Sequence, residues 1–388
     1  MKCIRPVIHS GQQAGTPFAV LRKPAVHVPL QIMDSKARVS QIDSLQALRA
    51  LAATTVIFDH IPYLHWGAFG VDIFFIVSGF VICHITAIDS SHFFLKRIFR
   101  IVPLYWLCTL GIAAVAVARP GLLESTTFST TYLLKSLFFI PYRRLDHRIV
   151  PLLFLGWTLQ FEMLFYAVFG TALMFTKKYA REVAIAGLIV VALLGKPFRH
   201  LSPIVLFYAR DVVIQFACGI ICYILWERYG TTIRRIPLAL SAVVAIVSYG
   251  FFILFDLRIL NSYGPYFVHV PDFLIRGIPA SLIVLAFLSG EGRIKYPASV
   301  LLIGDASYSL YLLHPYILEL LEHKLGKLSH LSPVNLVLTI ALVGVCYGCA
   351  IASYRLFEIP SNRFLRHRFL LKKPRPVIQE PVPAPVAQ

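Results

Sequence analysis

The chain has 388 residues, of which 57% are hydrophobic and only 14% are charged. Soluble proteins contain about 45–50% apolar and about 25% charged residues, so this composition excludes an ordinary soluble domain and indicates an integral membrane protein. The net charge of +18 would suggest a nucleic-acid partner in a soluble protein. In a membrane protein it is typical of basic cytoplasmic loops, and no nucleic-acid partner is expected.

The apolar runs are long and continuous, which predicts an all-α bundle of about ten transmembrane helices rather than a β-barrel. The predicted spans are 45–64, 70–88, 101–118, 152–175, 182–194, 210–227, 238–255, 273–289, 301–321 and 334–356. If both termini are placed in the cytoplasm, most Lys and Arg residues outside the spans lie on the cytoplasmic side. This excess of positive charge predicts that both termini are cytoplasmic.

Three regions make up the predicted organisation of the chain. Residues 1–44 are mixed, basic and Pro-containing, and they are predicted to be a cytoplasmic tail without a signal peptide. Residues 45–358 form the transmembrane domain, and the Pro-rich residues 359–388 are predicted to be a disordered cytoplasmic tail. The longest outside loop, 119–151, combines aromatic, basic and acidic residues, and we expect it to fold over the outer mouth of the bundle.

The first span carries Arg49 near its cytoplasmic end and His60 near its outer end. Eleven residues of helix turn through three full turns plus about 20° and rise about 16 Å, so both side chains share one face. Arg49, an anion-binding group, then lies on the cytoplasmic side of His60, an acid/base group. The alternative is that Arg49 anchors the helix at the lipid surface and His60 is an interfacial residue.

Asp72 begins the second span, a few residues after His60 across a tight turn. A carboxylate in that place is expected to orient the imidazole and raise its basicity. The alternative is an acidic residue that is favoured at a helix N-terminus by the helix dipole.

Lys96, Arg97 and Arg100 follow at helical spacing, just inside the membrane. Clustered cations of this kind suit the phosphates of a cofactor, and they suit lipid headgroups equally well.

Two further ionisable residues lie inside predicted spans, Glu162 in the fourth and His314 in the ninth. Intramembrane ionisable groups usually face the bundle interior and mark function, although a structural hydrogen bond would also explain either one. Cys346 and Cys349 form a CxxC pair within a span, without partners at metal-binding spacing, so no metal site is predicted.

Taken together, these segments resemble the acyltransferase 3 family of membrane acyltransferases. The resemblance covers residues 41 to about 366, with Thr158 where the family has Ser, and Glu358 and Pro360 fit the family's closing pattern. Its pieces occur in the family's order and are the Arg49–His60 spacing, GVDIFFIVSGF (70–80), FLKRIFRIVPLYW (94–106), WTLQFEMLFY (157–166) and SYSLYLLHP (307–315).

The resemblance implies transfer of an acyl group, usually acetyl from acetyl-CoA, to hydroxyls of exported carbohydrates or related acceptors. It implies a multi-pass protein of the bacterial inner membrane, similar to stand-alone members that lack an appended hydrolase-like domain. Such members modify exopolysaccharide, lipopolysaccharide or oligosaccharides, and others acylate macrolides. A sugar or lipid transporter, or flippase, and a non-catalytic scaffold are the alternatives from other functional classes.

A mechanism follows as a hypothesis. CoA phosphates bind Arg97 and Arg100, assisted by Lys96 and Arg49, and the pantetheine arm extends through the bundle interior. His60 acts as the general base on the acceptor hydroxyl, or carries the acyl group covalently. Asp72 is expected to orient His60. Glu162 from span four and His314 from span nine are expected to complete the catalytic site.

Overall fold

The computed structural model describes residues 41–370, apart from residues 65, 120–127, 146, 199, 257–270, 272 and 326–329. The described residues fold mainly into helices, which are numbered here in chain order. They are α1 Asp43–Asp59, α2 Gly70–Ile88, α3 Phe93–Ala118, α4 Thr130–Leu137, α5 Gly156–Phe175, α6 Ala180–Phe198, α7 Pro203–Tyr208, α8 Val213–Arg235, α9 Leu238–Asp256, α10 Phe273–Ser289, α11 Ala298–Asp305, α12 Ser307–Leu325, α13 Pro333–Ser353 and α14 Ile359–Phe369.

Helices occupy all ten predicted ranges, which confirms an α-helical membrane protein. Five helical stretches in the described part of the chain are long and apolar enough to cross a membrane by length and composition alone: Gly70–Ile88, Phe93–Ala118, Gly156–Phe175, Leu238–Phe255 and Pro333–Phe369. The count of ten crossings and the cytoplasmic position of the termini stay predictions.

Two helix boundaries differ from the predicted spans in ways that affect the site. Helix α3 begins at Phe93 rather than at residue 101, so the predicted basic cluster lies within the helix. The predicted ninth span is two helices, α11 and α12, which meet at Ala306. That break places Ser307 at the start of α12.

The predicted C-terminal tail begins as helix. A π-helical turn, Tyr354–Glu358, follows α13 and continues directly into α14, so residues 359–369 are helical. Residues 371–388 and 1–40, where the disordered tail and most of the N-terminal tail were predicted, lie outside the described residues.

Glycines bring α2 and α8 into backbone contact. A Cβ atom at Gly79 would lie 2.3 Å from the carbonyl oxygen of Phe216, and one at Gly219 would lie 2.1 Å from that of Ile76. Small residues allow this close approach, which is a common basis of helix packing in membranes. The contact fixes α2, which carries Asp72 and Ser78, against α8.

Aromatic rings fill the space between these two helices and α5. Phe216 of α8 lies 4.8 Å from Phe75 of α2 and stacks at 4.6 Å on Phe165 of α5, measured between ring centroids. All three rings are buried. Their packing holds α5 beside α2, and it thereby sets Glu162 next to Ser78.

The described part of the long loop packs against α3 through hydrogen bonds around Ser136. The Tyr105 hydroxyl donates to the Ser136 carbonyl oxygen at 2.9 Å, and the amide of Leu152 donates to Oγ of Ser136 at 2.8 Å. These bonds tie the loop to the middle of α3, and its place over the outer mouth of the bundle stays a prediction.

Candidate active site

A cavity of about 90 Å³ lies between α1, α2, α3, α5 and α12. Its wall combines three arginines, one carboxylate, several hydroxyl groups and apolar side chains. The structure therefore brings together four of the eight predicted site residues: Arg49, Arg97, Arg100 and Glu162.

The arginines differ in their surroundings. Arg97 is only 5% exposed, and its Nε atom has no hydrogen-bond partner within the described part of the chain. Arg100 lies three residues further on, so both guanidinium groups share one face of α3. Arg49 reaches the same cavity from α1, and its Nη1 donates to Oε1 of Gln46 at 3.3 Å. These residues make one wall of the cavity strongly positive.

Glu162 faces the arginines from α5. Its Oε1 accepts hydrogen bonds from the hydroxyl of Tyr166 and, at 3.4 Å, from that of Ser78. The carboxylate also interacts electrostatically with Arg97 and Arg100. An ionised group within a membrane requires this kind of compensation.

His60 and His314 form a pair beyond the cavity. Nδ1 of His60 lies 3.4 Å from Nε2 of His314, and the two rings meet edge to face with centroids 4.9 Å apart. Each Nδ1 also lies near a backbone carbonyl oxygen, that of Val56 at 2.9 Å and that of Leu310 at 3.0 Å.

Those carbonyl oxygens decide which ring nitrogens carry protons. A carbonyl oxygen only accepts, so Nδ1 is assigned as the donor in both rings. Nε2 of His314 is then an acceptor facing His60, and Nε2 of His60 carries the lone pair of a base. The pair therefore presents one basic nitrogen, held by two hydrogen-bonded rings.

Tyr311 and Phe74 stand between the cavity and the histidine pair. Both line the cavity, and the Tyr311 ring centroid lies 6.1 Å from that of His314. The Tyr311 hydroxyl lies 3.0 Å from that of Thr158. Neither imidazole forms part of the cavity wall. The cavity therefore covers only part of the predicted face from Arg49 to His60, and the histidine pair lies outside it.

Asp72 does not take the predicted place beside His60. Asp72 is buried, and its carboxylate accepts from Nε2 of Gln215 and, at 3.0 Å, from Nη1 of Arg276. Gly70 explains the difference, because a Cβ atom there would lie 2.4 Å from the Ala52 carbonyl oxygen. That side of α2 faces α1, and a residue two positions later points about 200° away from it. The backbone carbonyl of Val56 takes the role that was expected of Asp72.

Lys96 lies outside the cavity, at the exposed start of α3. Its Nζ pairs with Oδ2 of Asp89 and donates to Oγ of Ser91 at 3.2 Å. The Lys96 hydrogen bond lowers the pKa of the Asp89 carboxyl well below its ordinary value. The predicted phosphate-binding lysine is thus already held by a carboxylate at the surface.

Sequence reasoning did not assign a role at the site to several residues that the structure places there. Tyr166 lies one helical turn after Glu162, a spacing that would have indicated the contact. Ser307 lines the cavity from the start of α12. Glu358, from the π-helical turn, accepts from Oγ of Ser309 at 2.9 Å and interacts electrostatically with Arg49. The sequence drew attention to Glu358 and to the segment that begins at Ser307 through the family resemblance, but their places at the site depend on a helix break and a π-helical turn.

The described residues contain no group of three or more His, Cys, Asp or Glu side chains arranged to hold a metal ion. Cys346 of the CxxC pair is buried in a cluster of apolar residues that includes Leu342 and Ala350.

Comparison with known proteins connects this geometry with a family. A family model described as an acyltransferase domain matches residues 42–354. The exopolysaccharide production protein ExoZ of Rhizobium meliloti is 34% identical over 308 residues, which are 78% of this chain and 92% of that protein.

Two longer relatives match more weakly. The peptidoglycan O-acetyltransferase OatA of Listeria monocytogenes is 24% identical over 84% of this chain and 57% of its own length. The O-acetyltransferase OatA of Staphylococcus aureus is 25% identical over 86% and 59%. No solved structure matches. The chain belongs to the acyltransferase 3 family and is a membrane acyltransferase.

Proposed function

We propose that the protein transfers an acetyl group from acetyl-CoA to a hydroxyl of an exported carbohydrate. The observation that carries this proposal is that one bundle holds both an arginine-lined cavity and a histidine pair. The cavity wall contains three arginines, and the histidine pair presents a basic imidazole nitrogen on His60. The names of ExoZ and OatA, which refer to exopolysaccharide and peptidoglycan, support a carbohydrate acceptor.

The cavity suits the thioester end of an acyl-CoA. Its volume of about 90 Å³ is smaller than the about 150 Å³ of a cavity that takes a benzene molecule. It therefore has room for a thin chain, such as the arm that carries the thioester. The nucleotide part of the donor must lie outside the cavity, towards the predicted cytoplasmic ends of α1 and α3.

Arg49 and Arg100 are the arginines for the donor phosphates in this proposal. Guanidinium groups bind phosphate through paired, charge-assisted hydrogen bonds, which ammonium groups cannot form in the same way. In the described structure Arg100 makes no hydrogen bond through its side chain, so its donors remain available. Lys96 has a secondary role, since binding a phosphate requires it to leave Asp89.

His60 acts as the general base. Its Nε2 removes the proton from the acceptor hydroxyl, and the hydroxyl oxygen attacks the thioester carbonyl carbon. The carbon–sulfur bond then breaks, an ester forms, and the imidazolium returns the proton to the departing CoA thiolate. General-base assistance of this kind contributes about 10²–10⁴ in rate. His314 positions His60, and the Tyr311 ring must shift for the acyl carbon to approach.

The orientation follows the charge bias of the loops, with both termini in the cytoplasm and the protein in the bacterial inner membrane. The donor then enters from the cytoplasm, where acyl-CoA is made. The acceptor, such as a lipid-linked glycan, meets His60 in the predicted outer half of the bundle. Covalent transfer through His60 is the variant of this scheme that the same residues support.

The test is CoA release by the protein in membrane vesicles that contain the host's surface glycans. We expect acetyl-CoA to be consumed by wild type and not by the correctly inserted His60→Ala variant. Mass spectrometry of the glycans then identifies the acceptor as the glycan that carries fewer acetyl groups with the His60→Ala variant than with wild type. Wild-type transfer by His60→Ala would remove the proposed base, and glycan movement without donor consumption would indicate a transporter.

A further inference from the structure

Two buried donor groups in the cavity wall lack partners. Oγ of Ser307 and Nε of Arg97 form no hydrogen bond among the described residues, although Ser307 is 0% and Arg97 only 5% exposed. Both residues line the same cavity. Buried polar groups in native proteins almost always have a partner, so two unpaired donors in one cavity indicate acceptor atoms supplied by a ligand or by water.

The neighbours of Ser307 show that this lack is specific. The hydroxyl of Tyr308 donates to the Ile101 carbonyl oxygen at 2.7 Å, and that of Ser309 donates to Glu358. The helix on which Ser307 lies therefore satisfies the adjacent hydroxyls and leaves this one unpaired. Gly304, near the end of the preceding helix α11, packs against the backbone of α1, where a Cβ atom would lie 2.1 Å from the Gln46 carbonyl oxygen, so the segment that leads into α12 is fixed in place.

Depth in the bundle decides which part of a donor these groups meet. Ser307 precedes His314 by seven residues on α12, which is about 10 Å along the helix axis. An acyl carbonyl that reacts beside His60 is therefore out of reach of Ser307. The part of an acyl-CoA that trails its thioester by this distance is the pantetheine arm, which carries two amide groups.

We propose that Ser307 and Arg97 bind the pantetheine arm by donating hydrogen bonds to its amide carbonyl oxygens. This inference rests on the proposed function, because it assumes that an acyl-CoA enters the cavity. It gives Arg97 a different role from phosphate binding: its Nε–H meets a neutral carbonyl inside the bundle. It also adds Ser307 as a binding residue for the donor.

The experiment compares Ser307→Ala with wild type by measuring KM and kcat for acetyl-CoA in the CoA-release assay. Ser289→Ala is the matched control, because Ser289 is equally buried but its hydroxyl is paired with Ser241 at 2.7 Å, away from the cavity. Loss of one hydrogen bond to the donor is expected to raise KM about twofold to tenfold, with kcat nearly unchanged.

Arg97→Lys supplies an independent variant, since it keeps the charge and removes the Nε–H. It is expected to raise KM in the same way, and Ser289→Ala is expected to leave KM unchanged. An unchanged KM in Ser307→Ala would mean that only water occupies the position, which overturns the proposal. A fall in kcat at constant KM would overturn it too, because Ser307 would then act on the reacting atoms. Failure of wild type to release CoA would instead refute the proposed function itself.

Discussion

Replacing Arg276 should destabilise the bundle more than replacing its partner Asp72. In the pair between α10 and α2, the side chain of Asp72 is 6% exposed and that of Arg276 is 28% exposed. Arg276→Gln leaves a carboxylate deep in the protein without this guanidinium. Asp72→Asn leaves a guanidinium that already reaches the surface of the protein and lies 5.3 Å from the Phe255 ring centroid.

The expected magnitudes follow from this asymmetry. Removing one partner of a buried ion pair costs about 3–5 kcal/mol, so we expect a loss in this range for Arg276→Gln. The accessible guanidinium left by Asp72→Asn should cost only about 1–2 kcal/mol, close to a lost hydrogen bond with a charged group. The double variant should be more stable than the sum of the single losses predicts, by about 0.5–3 kcal/mol.

Detergent-induced unfolding of the purified protein measures these free energies, and Arg276→Lys is the control that keeps a positive charge. The pH dependence of acetyl transfer by Asp72→Asn is measured in parallel. A structural Asp72 predicts an unchanged profile of the His60 base. A shifted pH profile together with unchanged stability would refute the reasoning, since Asp72 would then act on His60 after all.

Three further predictions concern packing, the base and the donor. Gly79→Ala places a Cβ atom 2.3 Å from the Phe216 carbonyl oxygen and should lower the free energy of unfolding by about 1–3 kcal/mol. The control is Gly111→Ala, whose Cβ atom meets nothing within 4 Å, and it should be neutral or stabilising by up to about 1 kcal/mol. His314→Ala should lower kcat by up to about 10²-fold with little change in KM for acetyl-CoA, and an altered KM would place His314 at the donor. Arg100→Gln should raise that KM about 10- to 100-fold and weaken its dependence on salt; an unchanged KM would exclude Arg100 from phosphate binding.

Helix type and the main cavity residues could be predicted from the sequence. Apolar composition required helices, and the helical spacing of Arg97 and Arg100 placed both on one face. Intramembrane charge correctly drew attention to Glu162, because such a group must be compensated. His60 and His314, 254 residues apart in the chain, lie close together, and their membership of one catalytic site stays a prediction.

The partner of Asp72 could not be predicted in the same way. Closeness in sequence suggested His60, but the direction of Asp72 depends on which face of α2 packs against α1. Gly70 decides that face, and its contact partner is visible only in three dimensions. The place of Ser307 in the cavity wall could not be predicted for a related reason, because the helix break at Ala306 orients it.

Tyr311 and Phe74 separate the arginine cavity from the histidine pair, and this separation bears on the permeability barrier of the cell. A continuous water-filled passage through the bundle would let protons flow down their gradient. In the proposed scheme, an aromatic layer between the cavity and the histidine pair lets the enzyme accept its donor from one side and its acceptor from the other without becoming a channel. We therefore expect energised vesicles that contain the protein to keep their proton gradient during turnover.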